Sequence, residues 1–198
     1  MRINIQEYKK LYPALDDSDA INQAIDEICL SSNGGGIIYL PAAVYLLTNA
    51  IVINQKGIIL EGEGIDYGGG TNGTLIKVGA GINGFEIKPS YDILSDYVSP
   101  VSGIKYKINR LKTQATYCSI KNLQIVEDES LPTHGTSLNG IAIFETPNVL
   151  IENVVILNMG ANGVFITDDK YDKTLMTSVT DDPMDQTPHN CNSWKVIN

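Results

Sequence analysis

The feature that most constrains this chain is an internal repeat. Asn83–Ile87 reads NGFEI, Asn139–Ile143 reads NGIAI and Asn162–Ile166 reads NGVFI. The last two copies lie 23 residues apart. A second pattern, Ile-x-Asn-apolar-x-Ile, runs from Ile120 to Ile125 and again from Ile151 to Ile156. Polar segments at 88–117 and 127–138 read as insertions that widen the spacing of the earlier copies. Short strands with asparagine or glycine at fixed corners, at a period in the twenties, signal stacked repeats. One turn of such a chain cannot bury its apolar face, whereas stacked turns share a continuous core. Asparagine at a corner suits left-handed backbone, and its amide can bond the amide of the next copy. The LxxLxLxxN pattern of leucine-rich repeats is missing. The expectation is an all-β chain, a parallel β-helix (solenoid).

Only one segment reads clearly as helix. In DDSDAINQAIDEICLSS, Ile21, Ala24, Ile25 and Ile28 fall on one face at helical spacing. Asp17 or Ser18 is placed to cap its start, and the glycines of SSNGGG offer left-handed backbone at its exit. Beyond it, runs such as IIYL, VYLL, AIVI, GIILEG and TLIKV alternate with Gly and Asn, the pattern of short strands joined by tight bends. No second helix is predicted between them, so a βαβ reading fails. The segment GEGIDYGGGT from Gly62 lacks GxGxxG spacing and a following helix, and reads as a turn.

Charge and cysteines narrow the function. A net charge of −9 opposes approach to nucleic-acid phosphates or to an anionic membrane surface, and is compatible with a neutral polymer as ligand. Cys29, Cys118 and Cys191 form no CxxC pair and have no His at zinc-ligand spacing, so they read as buried free thiols. The start, MRINIQEYKKLYP, has no apolar stretch of signal-peptide length, and no apolar run approaches the roughly 20 residues of a membrane span.

From Asp16 to about Val78 the ordered motifs are DDSDAINQAIDEI, NGGGIIYLPAAVYLL, IILEGEG and GTLIKV. This order resembles the N-terminal part of the pectate-lyase-like superfamily of right-handed β-helices. That group holds polysaccharide lyases, glycoside hydrolases, epimerase-like proteins and phage tailspike depolymerases. The resemblance implies right-handed winding and an N-terminal capping α-helix over the open end of the stack. Two departures stand out: Ala43 where the family usually has glycine, and YKKLYPAL where it has a Gly-Asp-rich run. The implied organisation is a lead-in at 1–15 and a β-helix over 16–198. HNCNSWKVIN reads as the opening of a further turn, so the β-helix is expected to be incomplete at its C-terminal end.

The resemblance implies polysaccharide as the partner, bound and degraded by lyase or glycoside hydrolase chemistry. The alternative is a non-catalytic glycan-binding or structural component of a virion or cell surface. A virion or extracellular location follows from either, with a homotrimer in the tailspike case. No cofactor is expected, except calcium if the chain is a lyase. The fold alone does not choose the reaction, because such folds host several chemistries.

Hydrolysis needs two carboxyl groups flanking the bond, and elimination needs a base. Asp168 and Asp169, directly after NGVFIT, are the candidate catalytic pair. Adjacent strand residues face opposite ways, so both serve one groove only if the chain turns there. Tyr91, Tyr97 and Tyr106 offer ring faces to sugars from the 88–117 segment. Glu127 and His134 belong to the 127–138 insertion, where a binding loop would be built. These five are the candidate substrate-binding residues.

Overall fold

The computed structural model describes residues 1–31, 34–65, 72–98, 105–130, 135–167 and 195–197. Two helices form near the start of the chain. Helix α1 (Ile5–Leu11) is capped by Asn4, whose side-chain oxygen accepts the N–H groups of Gln6 (3.0 Å) and Glu7 (3.3 Å). It buries only Ile5 and Tyr8. Helix α2 (Asp17–Ser31) buries Ile21, Ala24, Ile25 and Ile28 along one face. Its cap is one residue earlier than expected: the Asp16 carboxylate accepts the Asp19 N–H at 2.8 Å. That bond, with a second from the Thr48 hydroxyl, lowers the Asp16 pKa. At the exit, Gly34 and Gly35 take positive φ of 88° and 118°.

The strands form parallel sheets. One has eight strands, with the path β1 (Arg2–Asn4), β2 (Gly36–Leu40), β5 (Ile58–Gly62), β10 (Ser119–Glu127), β12 (Leu150–Leu157) and β14 (Lys195–Ile197). β3 (Ala43–Leu47) and β6 (Thr74–Val78) join it through the second half of β10. A four-stranded sheet runs β4 (Ile51–Ile53), β7 (Phe85–Ile87), β11 (Ile141–Phe144) and β13 (Val164–Thr167). β8 (Ser90–Val98) and β9 (Lys105–Thr113) pair antiparallel, apart from both.

The class is therefore mixed α/β with parallel sheets, two helices among the described residues and an antiparallel pair. This corrects the all-β parallel β-helix (solenoid) expected from the repeat and the right-handed, helix-capped form of it that the resemblance implied. The cause lies in two segments that the repeat does not cover. The lead-in at 1–15 builds β1 and α1, because Asn4 supplies a cap that a short polar run conceals. The polar segment at 88–117 builds β8 and β9 instead of an irregular insertion.

Register explains the core. Ile38, Leu60, Ile120 and Ile151 meet across successive strands, as do Tyr45, Ile76, Ile125 and Ile156. In the second sheet, Ile51, Phe85, Ile141 and Val164 align. Each aliphatic side chain thus packs on a like one in the neighbouring strand, and most of these positions are fully buried. The two Ile-x-Asn copies pair residue for residue, Ile120 with Ile151 and Ile125 with Ile156.

Helix α2 closes one end of this core with polar side chains aimed at strand edges. Asp17 accepts the Leu46 N–H (2.8 Å), Ser18 the Thr48 N–H (2.9 Å) and Asn22 the Val52 N–H (2.9 Å), while the Asn22 amide donates to the Ala50 carbonyl (3.0 Å). Asp17 and Ser18, expected as helix caps, serve the β3 edge instead. Unpaired edge N–H groups would otherwise invite pairing with another chain. Ala43 fits without glycine because it pairs with Thr74 as the first residue of β3.

Cys118 is buried and donates to the Gln55 carbonyl at 3.1 Å; burial pushes its thiol pKa up to about 11. Cys29 is half-buried and also free, and Cys191 lies outside the described residues.

Candidate functional site

The candidate site grows from Glu127. Register aligns it with Val78 and, one strand further, Leu47, so it occupies an inward position that its neighbours fill with aliphatic side chains. It is 3 % exposed. A carboxylate in such a place must find donors. Both oxygens do: Oε2 accepts the Gly135 N–H (2.6 Å), and Oε1 accepts those of Thr136 (2.7 Å) and Ser137 (2.7 Å). The Ser137 N–H, followed by that of Gly135, holds the Glu127 carboxyl pKa down to about 2.

This anchor fixes a layer of loops. The Thr136 carbonyl accepts the Gly81 N–H (2.8 Å), Leu138 N–H reaches the Ile82 carbonyl (2.8 Å), and the Leu138 carbonyl takes the Ala161 N–H (3.0 Å). Ser137 Oγ accepts the Gly160 N–H at 3.1 Å. Next to Glu127, Asp128 accepts from the Ser130 N–H (3.1 Å) and hydroxyl (2.7 Å). Beside the anchored loop opens a cleft of about 440 Å³ lined by Glu127, Glu129, Gly135, Asn158 and Met159. Asn158 stands at φ 54°, a left-handed corner directly after β12. The lining mixes hydrogen-bond acceptors, an amide and one thioether, a composition suited to hydroxyl groups on an apolar frame.

The other expected site residues fall elsewhere. Asp168, Asp169 and His134 lie outside the described residues. Tyr91 and Tyr97 are in β8 and Tyr106 is in β9. Register sets Tyr97 directly opposite Tyr106, and Tyr91 opposite Leu111. The structure thus brings two of the three tyrosines together and does not join them to Glu127 through any shared strand pairing. Sequence reasoning missed Asn158 and Met159. The available signal was the Ile-x-Asn register, which carries the end of β12 alongside Glu127. Among the described residues, no group of three or more His, Cys, Asp or Glu side chains is placed to hold a metal ion. No described helix is long and apolar enough to cross a membrane.

No protein-family model matches the chain, and no curated protein matches it. Among solved structures, it is similar to "Geobacillus virus E2 - ORF18", at 22 % identity and a TM-score of 0.48. The likeness covers 77 % of this chain and 25 % of that one, so the chain spans about a quarter of that protein's length.

Proposed function

We propose that this chain binds a neutral polysaccharide, as a glycan-recognition part of a virion or cell-surface protein. The observation that carries the reading is the cleft beside the loop held by Glu127. Glu129 and Asn158 offer acceptors and an amide to sugar hydroxyls, while Met159 offers an apolar contact. The acidic lining and the net charge of −9 favour an uncharged ligand over a polyanion. Tyr97 and Tyr106, opposite each other in the β8–β9 register, are the further candidates for sugar contact.

Binding without cleavage is the better reading of this cleft. A base or nucleophile needs an oxygen free to meet substrate, and Glu127 spends both of its oxygens on main-chain donors. Cleavage would fall to Asp168 and Asp169. A glycan array followed by calorimetry on the best hit tests the reading. Asn158→Ala is expected to weaken affinity about tenfold, the equivalent of one lost polar contact of about 1.4 kcal/mol. Wild-type binding to no glycan, or an unchanged Kd for Asn158→Ala, would overturn it. Release of reducing ends by the wild type, lost in Asp168→Ala, would replace binding by degradation.

A further inference from the structure

The three Asn-Gly copies share a sequence and differ in what each leaves free. The difference bears on covalent chemistry. When glycine follows asparagine, the glycine nitrogen is placed to attack the asparagine side-chain carbonyl carbon, and glycine has no Cβ to obstruct the approach. Asparagine is a thermolabile residue for this reason among others. Folded structure restrains the reaction in two ways. A glycine N–H held by an acceptor is not free to lose its proton and turn. An asparagine amide held at both ends is not free to swing toward it.

Both restraints act at the first two copies. Gly84 N–H donates to the Asn139 carbonyl (2.8 Å), and Gly140 N–H donates to that of Asn162 (3.0 Å). Both glycines are buried. The Asn83 amide donates to Glu86 (2.8 Å) and accepts from Asn139 (2.8 Å). The Asn139 amide donates to Asn83 and accepts from Asn162 (2.8 Å). The third copy lies at the outer edge, because β13 is the last strand of its sheet among the described residues. Asn162 and Gly163 are both exposed. Among the described residues, Gly163 N–H meets no acceptor, and the Asn162 amide makes one bond, to Asn139.

We propose that Asn162–Gly163 is a site of spontaneous deamidation, the copy of the three that reacts in the folded chain. It is independent of the glycan reading. The Gly163 nitrogen bonds to Asn162 Cγ. The side-chain nitrogen leaves as ammonia, taking the proton that Gly163 gives up, and a succinimide ring remains. Water then opens the ring. Breaking the bond between the Gly163 nitrogen and Cγ gives aspartate, whereas breaking its bond to the main-chain carbonyl carbon gives isoaspartate, whose main chain runs through Cβ. Either product replaces the amide that donates to Asn139 with a carboxylate, which has no proton to give. Isoaspartate also adds a main-chain atom just before β13, where Val164 and Ile166 are held in register with Ile141 and Ile143. The ladder thus loosens from its exposed end.

Incubation of the 198-residue chain at mildly alkaline pH, with its proteolytic peptides weighed over time, tests the proposal. The peptide containing Asn162 is expected to change from amide to acid in mass, and to become a substrate for labelling by an isoaspartyl methyltransferase. Peptides containing Asn83 and Asn139 should stay unchanged in the folded chain and convert only when urea unfolds it. Gly163→Ala should lose most of the conversion at Asn162. Its new Cβ would stand 3.7 Å from the Ile156 side chain, an ordinary contact, so far-ultraviolet circular dichroism should not change. Conversion of Asn83 or Asn139 as fast as Asn162 in the folded chain would overturn the proposal. So would an Asn162 that converts only in urea, or a folded Gly163→Ala that converts at the wild-type rate.

Discussion

Two corners of this molecule use asparagine in stacked positions, for opposite reasons. At Asn83, Asn139 and Asn162 the side chain does the work. Asn162 donates to the Asn139 oxygen (2.8 Å), and Asn139 donates to that of Asn83 both from its amide (2.8 Å) and from its backbone N–H (3.0 Å). Asn83 passes the chain on to Glu86 (2.8 Å), which Lys88 pairs at 2.6 Å. None of these three asparagines has positive φ, and the glycines after Asn83 and Asn139 let backbones approach. A Cβ on Gly140 would lie 2.6 Å from Ile156 Cγ2 and 2.8 Å from the Gly163 carbonyl oxygen. At Asn122 and Asn153 the backbone does the work. Both take left-handed φ, 55° and 51°, and bend β10 and β12 in step; their single amide bond (3.0 Å) is exposed. The same residue type thus marks a side-chain ladder, running from the buried Asn83 out to the exposed Asn162, in one corner and a backbone bend in the other.

The comparison breaks most visibly at glycine. Gly140→Ala should cost about 3 kcal/mol, because the new Cβ would fall inside contact distance of both the Ile156 side chain and the Gly163 carbonyl, and one of them must shift. Urea denaturation at constant slope reads the loss; a cost near zero would mean that the close approach is not needed. Asn139→Ala comes next, at about 2 kcal/mol, since it leaves the Asn83 oxygen short of a donor and the Asn162 amide short of an acceptor. Substitutions at Asn122 sharpen the contrast. Asn122→Ala should cost about 1.5 kcal/mol, mostly left-handed strain, while Asn122→Gly should cost only about 0.5 kcal/mol. Equal losses for the two would show that the exposed amide bond, not φ, is what Asn122 supplies.

The sequence carries one of these corners more openly than the other. NGFEI, NGIAI and NGVFI announce a repeat, and their strands do align in one sheet. Ile21, Ala24, Ile25 and Ile28 likewise announce the buried face of α2. What separates the two kinds of asparagine is invisible in a single chain, because φ and amide reach depend on the neighbouring strand. Helix α1 is hidden for a different reason: seven residues bury only Ile5 and Tyr8, too few to show a period. The pair β8–β9 is hidden because SYDILSDYV and KYKINRLKT are polar enough to read as loop. Glu127 could have been placed by alternation from Ile125, which puts it inside. An acidic residue at an inward position is the one local rule that this chain breaks next to its candidate site.

That exception yields the last prediction, a slope instead of a loss. The Glu127 pKa is held down to about 2 by the Ser137 and Gly135 N–H groups, against an ordinary 4.5. A carboxyl whose folded pKa is depressed stabilises the fold fully above its unfolded pKa. Its contribution fades as pH falls from about 4.5 toward 2, where the folded state also takes the proton. Glu127→Gln has no such proton to take, so its stability should fall less steeply than that of the wild type across this window. Hydrogen exchange at Gly135, Thr136 and Ser137 locates the effect: their protection should drop with acid in the wild type and be low at every pH in Glu127→Gln. An Asn139→Ala acid profile with the same slope as the wild type would assign the slope to the anchored loop and not to the ladder. A Glu127→Gln profile that overlays the wild type would remove Glu127 as the anchor of the cleft.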